Sequence, residues 1–87
     1  MSITVELTYD LAKVLGVKRL ELEGAATVAE AVRLTRARFG AQQETFDQLT
    51  RVTALVVNGV LTNHHQGMAT PLVDGDRVGF LKAAAGG

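Results

Sequence analysis

Hydrophobic and polar residues alternate along several short stretches of this chain, and that pattern predicts a sheet of short strands. Residues 3–7 and 18–23 both show a two-residue period, which is typical of a strand with one buried face. The two predicted strands are near neighbours in sequence and can form a hairpin. Residues 11–15 lack this period and end at Gly16, so they predict a helical turn or a tight connection.

The period changes to that of a helix after Gly24. Thr27-Val28-Ala29-Glu30 is a capping box, in which the Thr27 hydroxyl and the Glu30 carboxylate satisfy backbone N–H groups. The helix is predicted to run to about Phe39, with Gly40 as the left-handed residue beyond its end. Residues 41–51 predict a short second helix or an ordered loop. The apolar face of the main helix consists of Val28, Ala31, Val32, Thr35 and Phe39.

The second half of the chain again predicts strands. Residues 52–57 are apolar and β-branched, and Asn58-Gly59 is a strong hairpin signal before a short return strand. Asp74-Gly75-Asp76 predicts a turn into a last strand over residues 77–81. We therefore expect one mixed sheet with the main helix across one face, and the last strand parallel to the first.

Composition narrows the classes of function. The chain has 87 residues, 9 Lys plus Arg, 9 Asp plus Glu, and no cysteine. The balanced charge argues against nucleic-acid binding, and the missing cysteines exclude disulfides and thiolate chemistry. The sequence shows no signal-peptide pattern and no apolar run of membrane-spanning length, which predicts a cytoplasmic protein with no membrane partner. So small a domain favours a carrier, subunit or binding module over a self-contained enzyme.

A family resemblance rests on motifs that span almost the whole chain in order. These are Lys13-Val14-Leu15-Gly16, Thr27-Val28, Val56-Val57-Asn58-Gly59, Leu72-Val73-Asp74-Gly75-Asp76-Arg77-Val78 and Gly86-Gly87. With them the chain resembles the ubiquitin-like β-grasp sulfur carriers. That family includes the small subunit of molybdopterin synthase, the thiamin-pathway sulfur carrier and the carrier of a bacterial cysteine route.

The resemblance implies an α+β fold of the ubiquitin-like β-grasp type. A mixed sheet of four to five strands would pack on one main helix in a domain of residues 1–82. Residues 83–87 would form a flexible C-terminal tail with the Gly-Gly end. One departure is that many members carry a Pro-Pro pair where this chain has Lys82 and Ala83, so the tail should be less stiff.

The same resemblance implies a chemistry for the tail. A ubiquitin-activating-type adenylating enzyme would use ATP to adenylate the carboxylate of Gly87, and a sulfur donor would convert it to a thiocarboxylate. An acceptor enzyme would then take the sulfur, so the chain is a protein cosubstrate that binds no cofactor or metal of its own. The six residues 82–87 reach about 20 Å when extended. Gly86 lets a narrow channel close around the backbone.

The predicted partner-binding residues lie at the end of the last strand and in the tail. They are Phe80, Leu81, Lys82 and Ala85. If Phe80 faces the helix, alternation turns Leu81 to the opposite face beside the tail, where an exposed apolar residue can dock a partner. Either Leu55 and Val57 or Ala54 and Val56 would extend that patch on the open face of the sheet.

Several functional alternatives stay open. The leading acceptor is the large subunit of molybdopterin synthase, because the insertion at residues 41–51 suits that branch. A carrier for cysteine, thiamin or a specialised sulfur metabolite is the alternative. A ubiquitin-like modifier joined to lysines through Gly87 uses the same activation chemistry. In a third class, a β-grasp interaction module, Gly86-Gly87 would be an inert end or a linker.

Three other groups of residues have simpler explanations than a site. Asp74 and Asp76 resemble the start of a calcium loop, but later ligands are missing and a turn explains them. His64 and His65 are adjacent, which suits chelation poorly and favours a solvated loop. The arginines of the main helix predict a solvated face, with an electrostatic contact to an acidic partner as the alternative; they are Arg33, Arg36 and Arg38.

Overall fold

The computed structural model describes residues 2–82, and its centre is a five-stranded sheet. The strands are β1 (Ser2–Glu6), β2 (Arg19–Glu23), β3 (Thr53–Val57), β4 (Val60–Leu61) and β5 (Arg77–Lys82). Their order across the sheet is β2-β1-β5-β3-β4. β1 and β5 are parallel, and the other neighbouring strands are antiparallel. The predicted mixed sheet, first hairpin and parallel pairing of first and last strands are confirmed.

Within residues 2–82, three α-helices lie between the strands. They are α1 (Tyr9–Leu15), α2 (Val28–Ala37) and α3 (Gln43–Thr50). Short 3₁₀ turns occupy Gly40–Gln42, Thr62–His64 and Gly67–Ala69. Of the two possibilities for residues 41–51, the helix is the one found. In residues 2–82 none of these helices is long and apolar enough to cross a membrane.

Local capping chemistry sets where the helices begin and end. The Thr27 hydroxyl accepts a hydrogen bond from Glu30 N, and the Glu30 carboxylate reaches back to Ala26 N, both at 3.3 Å. α2 ends at Ala37, two residues before the predicted end, and Gly40 adopts the predicted left-handed conformation at φ 52°. α1 begins two residues before the predicted turn, because the Thr8 hydroxyl caps it by accepting from Leu11 N.

The hydrophobic core lies between one face of the sheet and the three helices. The inward residues of the strands meet Leu11 of α1, Val28 of α2 and Phe46 of α3. All three phenylalanines of the sequence are buried here. The Phe46 ring lies 4.9 Å from that of Phe39 and 5.9 Å, edge to face, from that of Phe80. α3 is therefore packed against β5 and against the segment that follows α2, and the insertion that carries α3 is part of the core.

The Asp-Gly-Asp turn connects three separate segments of the chain. Asp76 accepts hydrogen bonds from the Asn58 side-chain amide at 3.0 Å and from Val73 N at 2.8 Å. Asn58 in turn accepts from Arg77 N, and Asp74 accepts from Ser2 N. The two carboxylates therefore hold the turn after β3 and the starts of β1 and β5 together. Their role is structural, as the turn prediction states.

Removing the Asp76 carboxylate should destabilise the fold. Asp76→Ala leaves Asn58 Nδ2 and Val73 N without their partner, and we expect it to lower the free energy of unfolding by about 1–2 kcal/mol. The measurement is urea denaturation followed by circular dichroism. Glu44→Ala removes one negative charge at an exposed position of α3 and should change stability by no more than about 0.5 kcal/mol. Equal losses in the two variants would contradict this role of Asp76.

Candidate functional site

The candidate site is the end of β5, where the chain leaves the sheet. β5 is the central strand and is paired along both sides, with β1 and with β3. Its last residue, Lys82, pairs with Thr53, the first residue of the antiparallel strand β3. The predicted site residues Ala85, Gly86 and Gly87 lie outside the described residues. What the structure establishes is a strongly anchored strand that delivers the chain to one end of the sheet.

Phe80 and Leu81 have opposite environments although they are adjacent. Phe80 is 5% exposed and packs against Phe46 in the core, whereas Leu81 is 52% exposed on the other face of the sheet. The predicted orientation of Leu81 is therefore confirmed. The Phe80 side chain is largely buried and supports the strand from beneath. Its role as a partner-binding residue stays a prediction.

An apolar patch continues from Leu81 across the open face of the sheet. Leu81 is the direct cross-strand partner of Ala54, and Val56 is that of Leu61. Directly opposed residues share a face, so these four side chains form one surface, which we call the open-face patch. Leu61 is 38% exposed. Of the two pairs considered from the sequence, Ala54 and Val56 lie on this face, while Leu55 and Val57 pack against the core.

Gly79 keeps the open-face patch flat. Gly79 pairs with Val56, and a Cβ atom built on Gly79 would lie only 2.9 Å from Val56 Cγ2. A side chain here would have to displace the valine, since real Cβ atoms essentially never approach that closely. The Val56 side chain uses this space, which explains why it is only 8% exposed on an otherwise open face.

Lys82 connects the end of β5 to α1. Lys82 Nζ lies 3.6 Å from Asp10 Oδ2, and both side chains are well exposed, so the ion pair contributes little stability. A groove beside the pair is lined by Leu7, Tyr9 and Leu81, among others. Tyr9 is 78% exposed, and the sequence reasoning did not identify it. The one sequence feature that could have identified Tyr9 is its position directly after Thr8, the residue that caps α1.

The three arginines of α2 and its C-cap do not form one solvated basic cluster. Arg36 forms a fork onto Asp47, with Nε–Oδ1 at 2.8 Å and Nη2–Oδ2 at 2.9 Å, and thereby joins α2 to α3. Arg38 donates to the carbonyl oxygen of Glu21 on β2 at 3.2 Å. Arg33 is exposed. Two of the three guanidinium groups thus serve the fold, which weakens the prediction of an acidic partner at this face.

Two carboxyl groups have lowered pKa values because of identifiable partners. Hydrogen bonds from Arg36, followed by its charge, lower the pKa of Asp47 below its ordinary value of 3.8. Hydrogen bonds from the hydroxyls of Ser2 and Thr4 lower the pKa of Glu21, and Arg19 adds a smaller effect. Both groups lie away from the end of β5, so these shifts describe the stability of the fold rather than chemistry at the site.

Residues that suggested a metal site show no such arrangement. Within residues 2–82, no group of three or more His, Cys, Asp or Glu side chains is arranged to hold a metal ion. His64 and His65 are both exposed, at the end of a 3₁₀ turn, in agreement with the predicted solvated loop.

The sheet order, the helix packing and the anchored last strand define a ubiquitin-like β-grasp protein. The chain belongs to the ThiS family, whose model matches residues 5–87. The family resemblance drawn from the sequence motifs is thereby confirmed. No protein with a curated description matches the sequence significantly.

Solved structures agree with this assignment. A chain of the Amycolatopsis orientalis BexX/CysO complex is 27% identical with a TM-score of 0.78, and the match covers 98% of this chain and 99% of that one. Small archaeal modifier protein 1 of Methanosarcina acetivorans is 20% identical with a TM-score of 0.78, covering 99% and 96%. A Pyrococcus furiosus protein assigned as molybdopterin converting factor subunit 1 is 20% identical with a TM-score of 0.76, covering 97% and 99%.

The contrast between Phe80 and Leu81 can be measured directly. We expect Phe80→Ala to lower the free energy of unfolding by about 3–5 kcal/mol, because it leaves a cavity beside Phe46. Leu81→Glu should change it by no more than about 0.5 kcal/mol, because the side chain already faces water. Chemical denaturation of the two variants checks both values. Unfolding of Leu81→Glu would show that Leu81 belongs to the core.

The Arg36–Asp47 pair should make stability sensitive to acid. A carboxyl group whose pKa is depressed by folding stabilises the protein above its unfolded pKa, and this contribution is lost as the pH falls through the folded value. Asp47→Asn should therefore flatten the fall in unfolding free energy between about pH 5 and about pH 2. Denaturation curves across this range test it, with Gln48→Ala on the same helix as control. A slope as steep in Asp47→Asn as in the wild type would contradict the pair's role.

Proposed function

We propose that this chain is a sulfur carrier that acts through a thiocarboxylate at Gly87. The observation that carries the proposal is the reach of the ThiS family match, which runs from residue 5 through Gly86 and Gly87 to the end of the sequence. The glycine pair thus belongs to the family pattern, which argues against an appended linker. The chain is then a protein cosubstrate, and the catalytic groups belong to its partners.

The chemistry of the proposal takes place at the carboxyl carbon of Gly87. A partner adenylating enzyme transfers AMP from ATP to the carboxylate and releases pyrophosphate. With sulfide as nucleophile, a carbon–sulfur bond forms, the bond to the AMP oxygen breaks, and AMP leaves. Later transfer of the sulfur to an acceptor, with water supplying the oxygen, restores the carboxylate. The chain needs no resident cofactor for these steps.

The fold supplies what such a cosubstrate needs. β1 pairs with β5 from Arg77 to Gly79, and β3 pairs with it as far as Lys82. The residues that follow Lys82 therefore begin at a fixed point beside β3. The open-face patch lies directly beside that point and presents Leu81 to a partner. A partner that covers the patch holds the start of the tail, and this shortens the search of Gly87 for the active site.

The acceptor is proposed in two forms. Molybdopterin synthase is the acceptor predicted from the insertion at residues 41–51, which the structure shows to be α3 packed in the core. The second candidate is an acceptor enzyme of the cysteine route or of a specialised sulfur metabolite. It is favoured by the 27% identity with a chain of the BexX/CysO complex over nearly the full length of both chains.

The intact mass of the untagged protein tests the carrier chemistry. After incubation with ATP, sulfide and the adenylating enzyme of its host, we expect a mass gain equal to the exchange of one oxygen for one sulfur. Fragmentation should place the sulfur on Gly87. Deletion of Gly87 should abolish the exchange, whereas Arg33→Ala, an exposed residue of α2, should leave it unchanged.

The other outcomes separate the alternatives. If the adenylating enzyme is active on another carrier protein but leaves the mass of this protein unchanged, the proposal is contradicted and an inert tail is favoured. Denaturation-resistant conjugates of higher mass that vanish without Gly87 would indicate a modifier instead. Incubation of the sulfur-loaded protein with each candidate acceptor then decides between the two forms.

A further inference from the structure

A second surface beside the tail has a different character from the open-face patch. It is a groove along α1, in which Tyr9, Ala12, Lys13 and Gly16 share one side of the helix at spacings of three, four and seven residues. The groove is completed by Leu7, Val17 and Lys18, and we call it the lysine groove. The proposed chemistry at Gly87 has not used any of its residues.

The exposed apolar groups of the lysine groove are suited to a protein contact. Tyr9 is the most exposed of the large hydrophobic residues in the described chain, at 78%, and Val17 is 43% exposed. Lys13 Nζ lies 6.0 Å from the centre of the Tyr9 ring, at the outer limit of a cation–π contact, so the ammonium and the ring lie side by side on this surface. Exposed tyrosines of this kind are enriched at interface hot spots, where they supply contact area at a low entropy cost.

The charge of the groove selects its partner. The two charged residues that line it, Lys13 and Lys18, are both basic, although the whole chain is neutral. The backbone carbonyl of Lys18 accepts a hydrogen bond from Leu7 N at 3.0 Å, which holds this residue against the groove. Complementarity therefore calls for a partner segment that carries carboxylates beside an apolar side chain.

The position of the groove connects it to the tail. Lys82 contacts Asp10, and Asp10 lies only about 4.5 Å along the helix axis from Lys13. Tyr9 and Leu7 line both the lysine groove and the groove beside Leu81. An enzyme that encloses the residues after Lys82 therefore lies next to the lysine groove.

We propose that the lysine groove docks an acidic segment of the enzyme that adenylates Gly87. This inference rests on the proposed function and names the surface that its first partner uses. Permanent interfaces are large and apolar, whereas transient ones are smaller and more polar. The adenylating enzyme has to release its product, and the ionic groove fits that need.

Steady-state kinetics of adenylation test the assignment. The readout is ATP–pyrophosphate exchange by the host's adenylating enzyme, with this protein as the varied substrate at low and high salt. Lys13→Glu/Lys18→Glu should raise KM by about tenfold or more and leave kcat within about twofold, because the charges act on encounter and not on chemistry. Tyr9→Ala should raise KM as well. The wild-type KM should rise with salt, and that of the double variant should not.

The matched control is Arg33→Glu/Arg77→Glu, which makes the same change in charge on α2 and at the opposite end of β5 from Lys82. It should leave KM unchanged. Lys13→Gln/Lys18→Gln removes the two charges without reversing them and should raise KM by a smaller factor. Melting curves of both double variants check that the fold is intact. An unchanged KM in the lysine variants, or an equal rise in the control, overturns this inference alone. No exchange with the wild-type protein overturns the proposed function and this inference with it.

Discussion

Pairing of β5 on both sides is the interaction on which the rest of the structure depends. It is the strand that joins β1 to β3, so without it the sheet separates into two hairpins. Its start is held by the bonds between Asp76 and Asn58, and its inward residues meet the core through Phe80. Because β1 and β5 are parallel, the long connection between them must supply the helices that cover the sheet. The same strand that closes the fold therefore also sets where the chain leaves the sheet, at Lys82.

Local signals predicted most of the fold. Three of these signals act within a few residues, and the structure confirms them. They are the capping box at Thr27, the Asn58-Gly59 turn with positive φ at both residues, and the two-residue period of β5. What could not be predicted depends on partners far apart in sequence. Arg36 meets Asp47 eleven residues on, and Arg38 meets a carbonyl of β2. A basic helix face therefore looked free in the sequence although two of its members are engaged.

The candidate site, like the fold, could be predicted only where neighbouring residues determine it. Alternation placed Leu81 opposite Phe80, but only the register of β3 against β5 shows that Ala54 and not Leu55 shares the face of Leu81. The sequence does not reveal the lysine groove, because its residues come from the position after β1, from α1 and from the turn after α1, and no short motif contains them. The end of β5 is consequently flanked by two unlike surfaces, one apolar and one basic.

The bond from Arg38 to the Glu21 carbonyl has a consequence for solution behaviour. β2 is an outer strand of the sheet, and an outer strand with free backbone groups is a template on which another chain can add and start aggregation. Here a guanidinium group occupies one of its carbonyls, and charged side chains alternate along it at Arg19, Glu21 and Glu23. At the opposite margin β4 contains only two residues. Both margins of the sheet thus offer little free backbone on which a second chain could add a strand.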